Sequence, residues 1–220
     1  MIDLTHGAGP DPLTPARSGL LVPALRRDLA DLNAQYLDLG LTTGCDADPR
    51  FGWSDPVRRC LLEVDADIRA RIAAVPFALF SLTLPADPPA VPPPRVEDSR
   101  AVNVQTGWQG RCESLANQAV FLARRLAESQ PLALRVVFGL PEEVHQWLAE
   151  CRLAQLTQIA TNPRLIRPRW RLHLRFWETV TAAARRGTPT ALQWSHCIGL
   201  CLIDAAARDE APPPPRRPRR

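Results

Sequence analysis

The residues of this chain best suited to chemistry are four histidines and six cysteines, and their spacing decides what they can do. His6 stands in a leader rich in Gly, Pro and Thr, while His145, His173 and His196 fall in three separate helical stretches. A nucleophilic triad needs a Ser or Cys on a sharp elbow beside a base, and no GxSxG-type turn occurs here. The reading is a binding protein, not an enzyme. Cys197 and Cys201 lie four apart and share one helix face. With Cys151 or His173 they would make a tetrahedral zinc set, but a helical CxxxC lacks the CxxC knuckle of such sites. Burial in the core is the simpler expectation for small thiols, so no metal and no cofactor is expected. The other cysteines (Cys45, Cys60, Cys112) add no disulfide-framework spacing, which points to reduced thiols and a cytoplasmic protein.

The second group able to do chemistry is basic. Arg164, Arg167, Arg169, Arg171 and Arg175 interleave with Trp170, Phe176 and Trp177. Such a stretch is either a solvated face whose aromatics pack inward or a phosphate-contacting patch. Arg185 and Arg186 precede a Gly187-Thr188-Pro189 break, after which Gln193, Ser195 and His196 follow on one helix. Helix, break and helix in that order resemble a helix-turn-helix, whose second helix enters a major groove. The five residues Arg185, Arg186, Gln193, Ser195 and His196 are the candidate DNA contacts.

Charge limits that reading. All 27 basic residues are Arg, a skew that a GC-rich genome produces without any functional reason, although Arg is also the better fork for phosphate. Four of them (Arg216, Arg217, Arg219 and Arg220) sit in the terminal PPPPRRPRR, leaving 23 basic against 23 acidic residues elsewhere. A whole-protein basic field for nucleic acid is absent, so phosphate contact must come from a local patch, the tail or a partner. No apolar run is long enough to span a bilayer, and the opening MIDLTHGAGPDPLTP is not a secretory signal.

The elements that must position these residues read as short amphipathic helices. Leu25, Leu29, Leu32, Tyr36 and Leu39 recur at steps of three and four, predicting a helix over about 23–41. Ser54 as N-cap and Pro56 open a second helix carrying Leu61, Val64, Ile68, Ile72 and Val75. Pro76 ends it, and PFALFSLTLP is a short extended piece or a last buried turn. PADPPAVPPP, Pro85 to Pro94, admits neither helix nor interior strand and is expected to be exposed. Further helices are expected over about 113–129, from Pro141, over 153–160, from about His173 to Arg186, and from Thr190 to Ala207. LALRVVFGL between them is helix or extended. The predicted organisation is an N-terminal helical region (1–84), a Pro-rich linker (85–110), a second helical domain (111–208) and a Pro/Arg tail (209–220) expected to be disordered.

Three pieces of the second domain carry a resemblance. FLARRLAES (Phe121 to Ser129), GLPEEVHQWLAECRLAQLTQIATNPRLI (Gly139 to Ile166) and LQWSH (Leu192 to His196) occur in the order of matching segments in FlhD, a subunit of a flagellar master transcriptional activator. The likeness covers Cys112 to Ala207, and the family is about half the length of this chain. It implies an all-α helical bundle with a dimer core and a C-terminal region, helix-turn-helix-like, that contacts DNA together with an FlhC-like partner. His196 falls at a family position implicated in promoter activation, with Gln193 and Ser195 on its helix and Arg185 and Arg186 near a family Arg. A family Cys is replaced by Arg167. The function implied is transcription activation of flagellar or motility genes as a homodimer; the alternative is a helical adaptor that does not bind DNA. The dimer is expected to form through the helix bearing Leu115, Phe121, Leu122 and Leu126.

Overall fold

The computed structural model describes residues 21–42, 49–85, 87–90, 107–171 and 173–209, the last six of these by backbone alone. The predicted loose leader, the terminal tail and most of the Pro-rich linker lie outside the described residues. The described part holds nine α-helices, a short 3-10 helix (Pro49–Phe51) and one two-stranded sheet, and is mostly helical as expected. The helices are α1 (Pro23–Leu41), α2 (Asp55–Leu62), α3 (Ala66–Ala73), α4 (Trp108–Ser129) and α5 (Pro131–Phe138). Then follow α6 (Glu142–Glu150), α7 (Leu153–Ala160), α8 (Leu174–Arg186) and α9 (Pro189–Asp209). Strands β1 (Phe80–Leu82) and β2 (Ile166–Pro168) pair antiparallel, with Ser81 opposite Arg167.

The single helix predicted to follow Ser54 is in fact two. Apolar spacing runs through without interruption, but the Asp65 carboxylate accepts the Ile68 amide at 2.8 Å and starts a new helix. An N-cap that satisfies an orphan amide outweighs continued periodicity. LALRVVFGL resolves as helix α5, closed by Gly139 at φ 71°. The sheet was not anticipated on the β2 side, because its three residues pair only with a segment 86 positions earlier.

The helices before and after the Pro-rich stretch share one apolar core. Tyr36, Phe77 and Phe80 from the first part pack with Phe138, Phe176 and Trp177 from the second, all of them fully buried. Asn33, the most deeply placed polar group, donates from Nδ2 to the carbonyls of Ala73 and Phe77, both at 3.0 Å. Its Oδ1 accepts from the Leu79 amide at 2.9 Å. Every capacity of that amide except one lone pair is used, which is what makes its burial affordable. The Pro-rich stretch is tied down where it begins: Gln155 Nε2 donates to the Pro89 carbonyl at 2.7 Å.

A repeat lies inside this core. A shift of 76 positions carries α2 (Asp55–Leu62) onto α5 (Pro131–Phe138) residue for residue, and the start of α3 onto that of α6. Buried Leu61, Val64, Ile72 and Val75 then fall on buried Val137, Leu140, Leu148 and Cys151. A shift of 83 does the same for the long helices. Every buried position of α1 from Leu29 to Gly40 falls on a buried position of α4, so that Leu32, Tyr36 and Leu39 meet Leu115, Ala119 and Leu122. α1 packs on α3 as α4 packs on α6. The two long helices run antiparallel against each other, with Asp28 bridged to Arg125 (3.1 Å), Gln35 bonded to Gln118 and Asp38 bridged to Arg111. Antiparallel long helices, an antiparallel strand pair and matched burial thus recur in the two halves, the strands related by a further shift of 86 and α7 having no counterpart in the first half. The repeat is not legible in the sequence, since burial and not residue identity is what recurs.

The face of α4 expected to form a homodimer is used inside the chain. Leu115, Leu122 and Leu126 are buried in the core, and only Phe121 retains substantial exposure.

Candidate functional site

The predicted site residues converge on the corner between α8 and α9. α8 has a sharply amphipathic sequence that buries Phe176, Trp177, Val180, Thr181, Ala183 and Ala184. It ends at Gly187, whose φ of 65° is the left-handed cap that glycine adopts without strain. Thr188 Oγ1 then accepts the Ala191 amide at 3.3 Å, and Pro189 fills the first turn of α9. Glycine cap, threonine cap and proline thus turn the chain within three residues.

Arg185 and Arg186 are exposed at the C-terminal end of α8, where the helix dipole favours cations. A third guanidinium joins them. Arg71 of α3 donates from Nη1 to the Ala184 carbonyl at 3.0 Å, and a side chain at Gly187 would meet that same nitrogen. Sequence reasoning missed Arg71, because it reaches the corner from 113 positions away and carries no local signal. Arg71 thus reaches the same helix end that carries exposed Arg185 and Arg186.

The α9 residues divide. Gln193 is exposed and free to contact a ligand. Ser195 is not: it is 1% exposed and its hydroxyl donates to the Leu192 carbonyl at 2.8 Å. The structure therefore withdraws Ser195 as a contact residue and gives it a packing role. His196 is half-buried. Burial and, to a smaller extent, the neighbouring Arg26 guanidinium push its pKa below the usual histidine value, because both oppose a second positive charge.

Cys197 and Cys201 reverse their expected burial and face solvent. The reason is Gly199. A Cβ there would lie 2.2 Å from Cζ of Phe77, so α9 rests its glycine on that ring and turns the thiols outward. Among the described residues no group of three His, Cys, Asp or Glu side chains is placed to hold a metal.

The exposed side of α9 carries Trp194, 68% exposed, beside an open groove of about 390 Å³ lined by Glu178, Thr179, Ala182, Ala183, Arg186 and Ala191. A smaller cavity of about 40 Å³ near Arg50, Gln109 and Glu113 has room for little more than one water.

The long basic-aromatic stretch serves the fold. Trp170, Phe176 and Trp177 are buried, with Trp177 Nε1 donating to the Trp170 carbonyl at 3.0 Å. Arg169 turns inward and donates to the Val137 carbonyl at 2.8 Å, capping α5 over Gly139. Its burial brings the guanidinium pKa down to about 10. Arg164, Arg167, Arg171 and Arg175 remain exposed.

No protein-family model, no curated protein and no solved structure matches this chain. Its functional reading rests on the residues and on the architecture they build. Among the described residues, no helix is long and apolar enough to cross a membrane.

Proposed function

We propose that the chain is an FlhD-like regulatory subunit whose dimer core is fused into one polypeptide, and that it acts on motility-gene promoters with an FlhC-like partner. The observation that carries this reading is the internal repeat. The resemblance implies a dimer core, and the chain holds two copies of a helical unit joined through α1 and α4. The α8–α9 corner supports the DNA half of the reading. Arg71, Arg185 and Arg186 supply a local phosphate site, Gln193 projects beside it, and His196 is held in the same helix. Phosphate contacts of this number give weak binding on their own, so a partner supplies the remaining basic surface.

The test is a mobility assay with the full chain, promoter fragments of flagellar genes, and an FlhC-like protein added or omitted. Joint binding that weakens with salt and falls in the Arg185→Ala/Arg186→Ala variant supports the reading. Absence of binding under every condition retires it. A second reading, a helical adaptor that does not touch DNA, is favoured by one observation: exposed Trp194 over its groove suits an apolar protein contact better than a phosphate backbone. Loss of partner binding in Trp194→Ala with no DNA binding by the wild type selects it.

A further inference from the structure

Cys197 and Cys201 lie outside the core that small thiols usually join. Both belong to α9, and a spacing of four puts them on one face of that helix about one turn apart. Gly199 fixes which face that is. Its backbone rests against the Phe77 ring, and its neighbours Ile198 and Leu200 are half-buried. The two thiols are therefore presented to solvent together. The other described thiols are not available in this way: Cys112 and Cys151 are buried, and Cys60 is half-buried against Thr181.

Helical spacing decides what two such thiols can do. Side chains at i and i+4 hold their Cβ atoms about 5–6 Å apart, whereas a disulfide needs about 3.5–4.5 Å. Direct oxidation of the pair would distort the helix. One ion between the sulfurs adds two bonds of about 2.3 Å each, which spans the gap with the backbone in place. The donor set narrows the ion. From Pro189 to Ile203 the sequence has no Asp, Glu or Arg, so the helix itself brings no carboxylate beside the thiols. Among the described residues no third His, Cys, Asp or Glu joins them. Two sulfurs without oxygen donors suit a soft ion that takes two ligands. They do not suit zinc, which takes four, or magnesium and calcium, which take oxygens.

We propose that Cys197 and Cys201 form a two-thiolate site for a soft monovalent ion of the copper(I) class. Binding replaces the two thiol protons, which pass to water, by one ion held between the two sulfurs, and no oxidation state changes. Trp194, 68% exposed and three residues before Cys197, shares that side of α9 and reports on the site. The site does not depend on DNA binding by the α8–α9 corner.

The experiment titrates the reduced full chain with copper(I), in the absence of oxygen, against a coloured copper(I) chelator. One ion per chain is expected, with quenching of tryptophan fluorescence that shrinks in Trp194→Phe. Two linked thiols exceed a single one by roughly 10²–10⁴, so Cys197→Ser or Cys201→Ser alone should weaken binding at least about a hundredfold. Both side chains are exposed, and unchanged helicity confirms that the variants are folded. The bound ion should also protect both thiols from maleimide. No binding overturns the proposal. So does binding that Cys197→Ser/Cys201→Ser leaves unchanged, or binding lost in Cys45→Ser or Cys60→Ser, which names other thiols. Half an ion per chain, with a dimer in sedimentation velocity, overturns it as well, because the ion then joins two copies. Zinc held as tightly as copper(I) sinks the two-ligand assignment.

Discussion

Gln35 and Gln118 meet amide to amide, Nε2 to Oε1 at 3.0 Å, and each holds the same position in its own repeat. The shift of 83 that relates α1 to α4 carries one onto the other, so this pair joins equivalent positions of the two long helices. Around it, burial is duplicated while residue types are not: Tyr36 on one side faces the role of Ala119 on the other. Unequal side chains at equivalent positions give each unit its own partner. Tyr36, fully buried, packs on Phe51, Trp53 and Phe80 and donates to the Arg50 carbonyl at 3.1 Å. Its phenol is pushed well above the usual tyrosine range by burial.

A shared core predicts that the two units do not come apart. Cleavage within 91–106 should leave two fragments that co-elute in size exclusion and melt together in one transition. Fragments that separate under native conditions would show two independent cores and sink the fused-dimer reading.

Asn33 is the polar centre of the first unit, and its replacement should be costly. Asn33→Leu leaves the Ala73 and Phe77 carbonyls and the Leu79 amide without their partner. At about 1 kcal/mol or more for each, the loss should reach about 3 kcal/mol in denaturant unfolding. Asn33→Asp should be worse at neutral pH, because a buried carboxylate cannot donate to either carbonyl. A change under about 1 kcal/mol for both would mean that water replaces the amide.

Several elements were legible in the sequence, and the misses have physical causes. The ends of α1 and α7 agree with the three-four spacing, because each presents one apolar stripe to one neighbour. α9 has apolar residues on every side, so spacing alone does not say which side is inward. Its orientation is set by Gly199 against Phe77, a contact across 122 positions, and that choice buries Ser195 while exposing Cys197 and Cys201. Arg185 and Arg186 were legible as basic residues before the break, whereas Arg71, which reaches the same helix end from α3, was not. The repeat escaped notice for a related reason: a buried Leu and a buried Ala look alike only once burial is known.

Exposed thiols make a direct check on that orientation. Cys197 and Cys201 should react with a maleimide on the native chain at rates close to those of the unfolded chain, while Cys112 stays protected. Modification mapped to Cys197 and Cys201 by peptide mass spectrometry, with unchanged helicity in circular dichroism, is expected. Protection of both thiols would mean that α9 is rotated or covered.

His196 makes stability depend on pH in a known direction. Burial and Arg26 lower its folded pKa, so the unfolded chain binds the proton more readily. Stability attributable to this residue is then constant above the unfolded value of about 6.5 and falls as pH drops through it, levelling below the folded pKa. His196→Gln keeps a polar side chain and removes the titration, so the fall in melting temperature between about pH 7.5 and pH 5.5 should shrink relative to wild type. An identical pH profile would place the imidazole in water in the native state.

Gly199 gives the sharpest test, because two effects oppose each other. Alanine is a better helix former than glycine, so Gly199→Ala in an open helix should stabilise by roughly 0.5–1 kcal/mol. Here the new methyl meets Phe77 Cζ at 2.2 Å and Cε1 at 2.6 Å, closer than real side chains approach. Phe77 is itself fully buried and packed on Trp170 and Phe176, so its ring has little room to retreat. Overpacking of this kind costs about 1–3 kcal/mol and should win. Gly199→Ala is therefore expected to lower the melting temperature, and Gly199→Val to lower it further. Adding Phe77→Leu should recover part of the loss in the alanine variant, a coupling that independent sites would not show. A stabilised Gly199→Ala protein would mean that α9 does not rest on Phe77, and with it would go the outward turn of Trp194, Cys197 and Cys201.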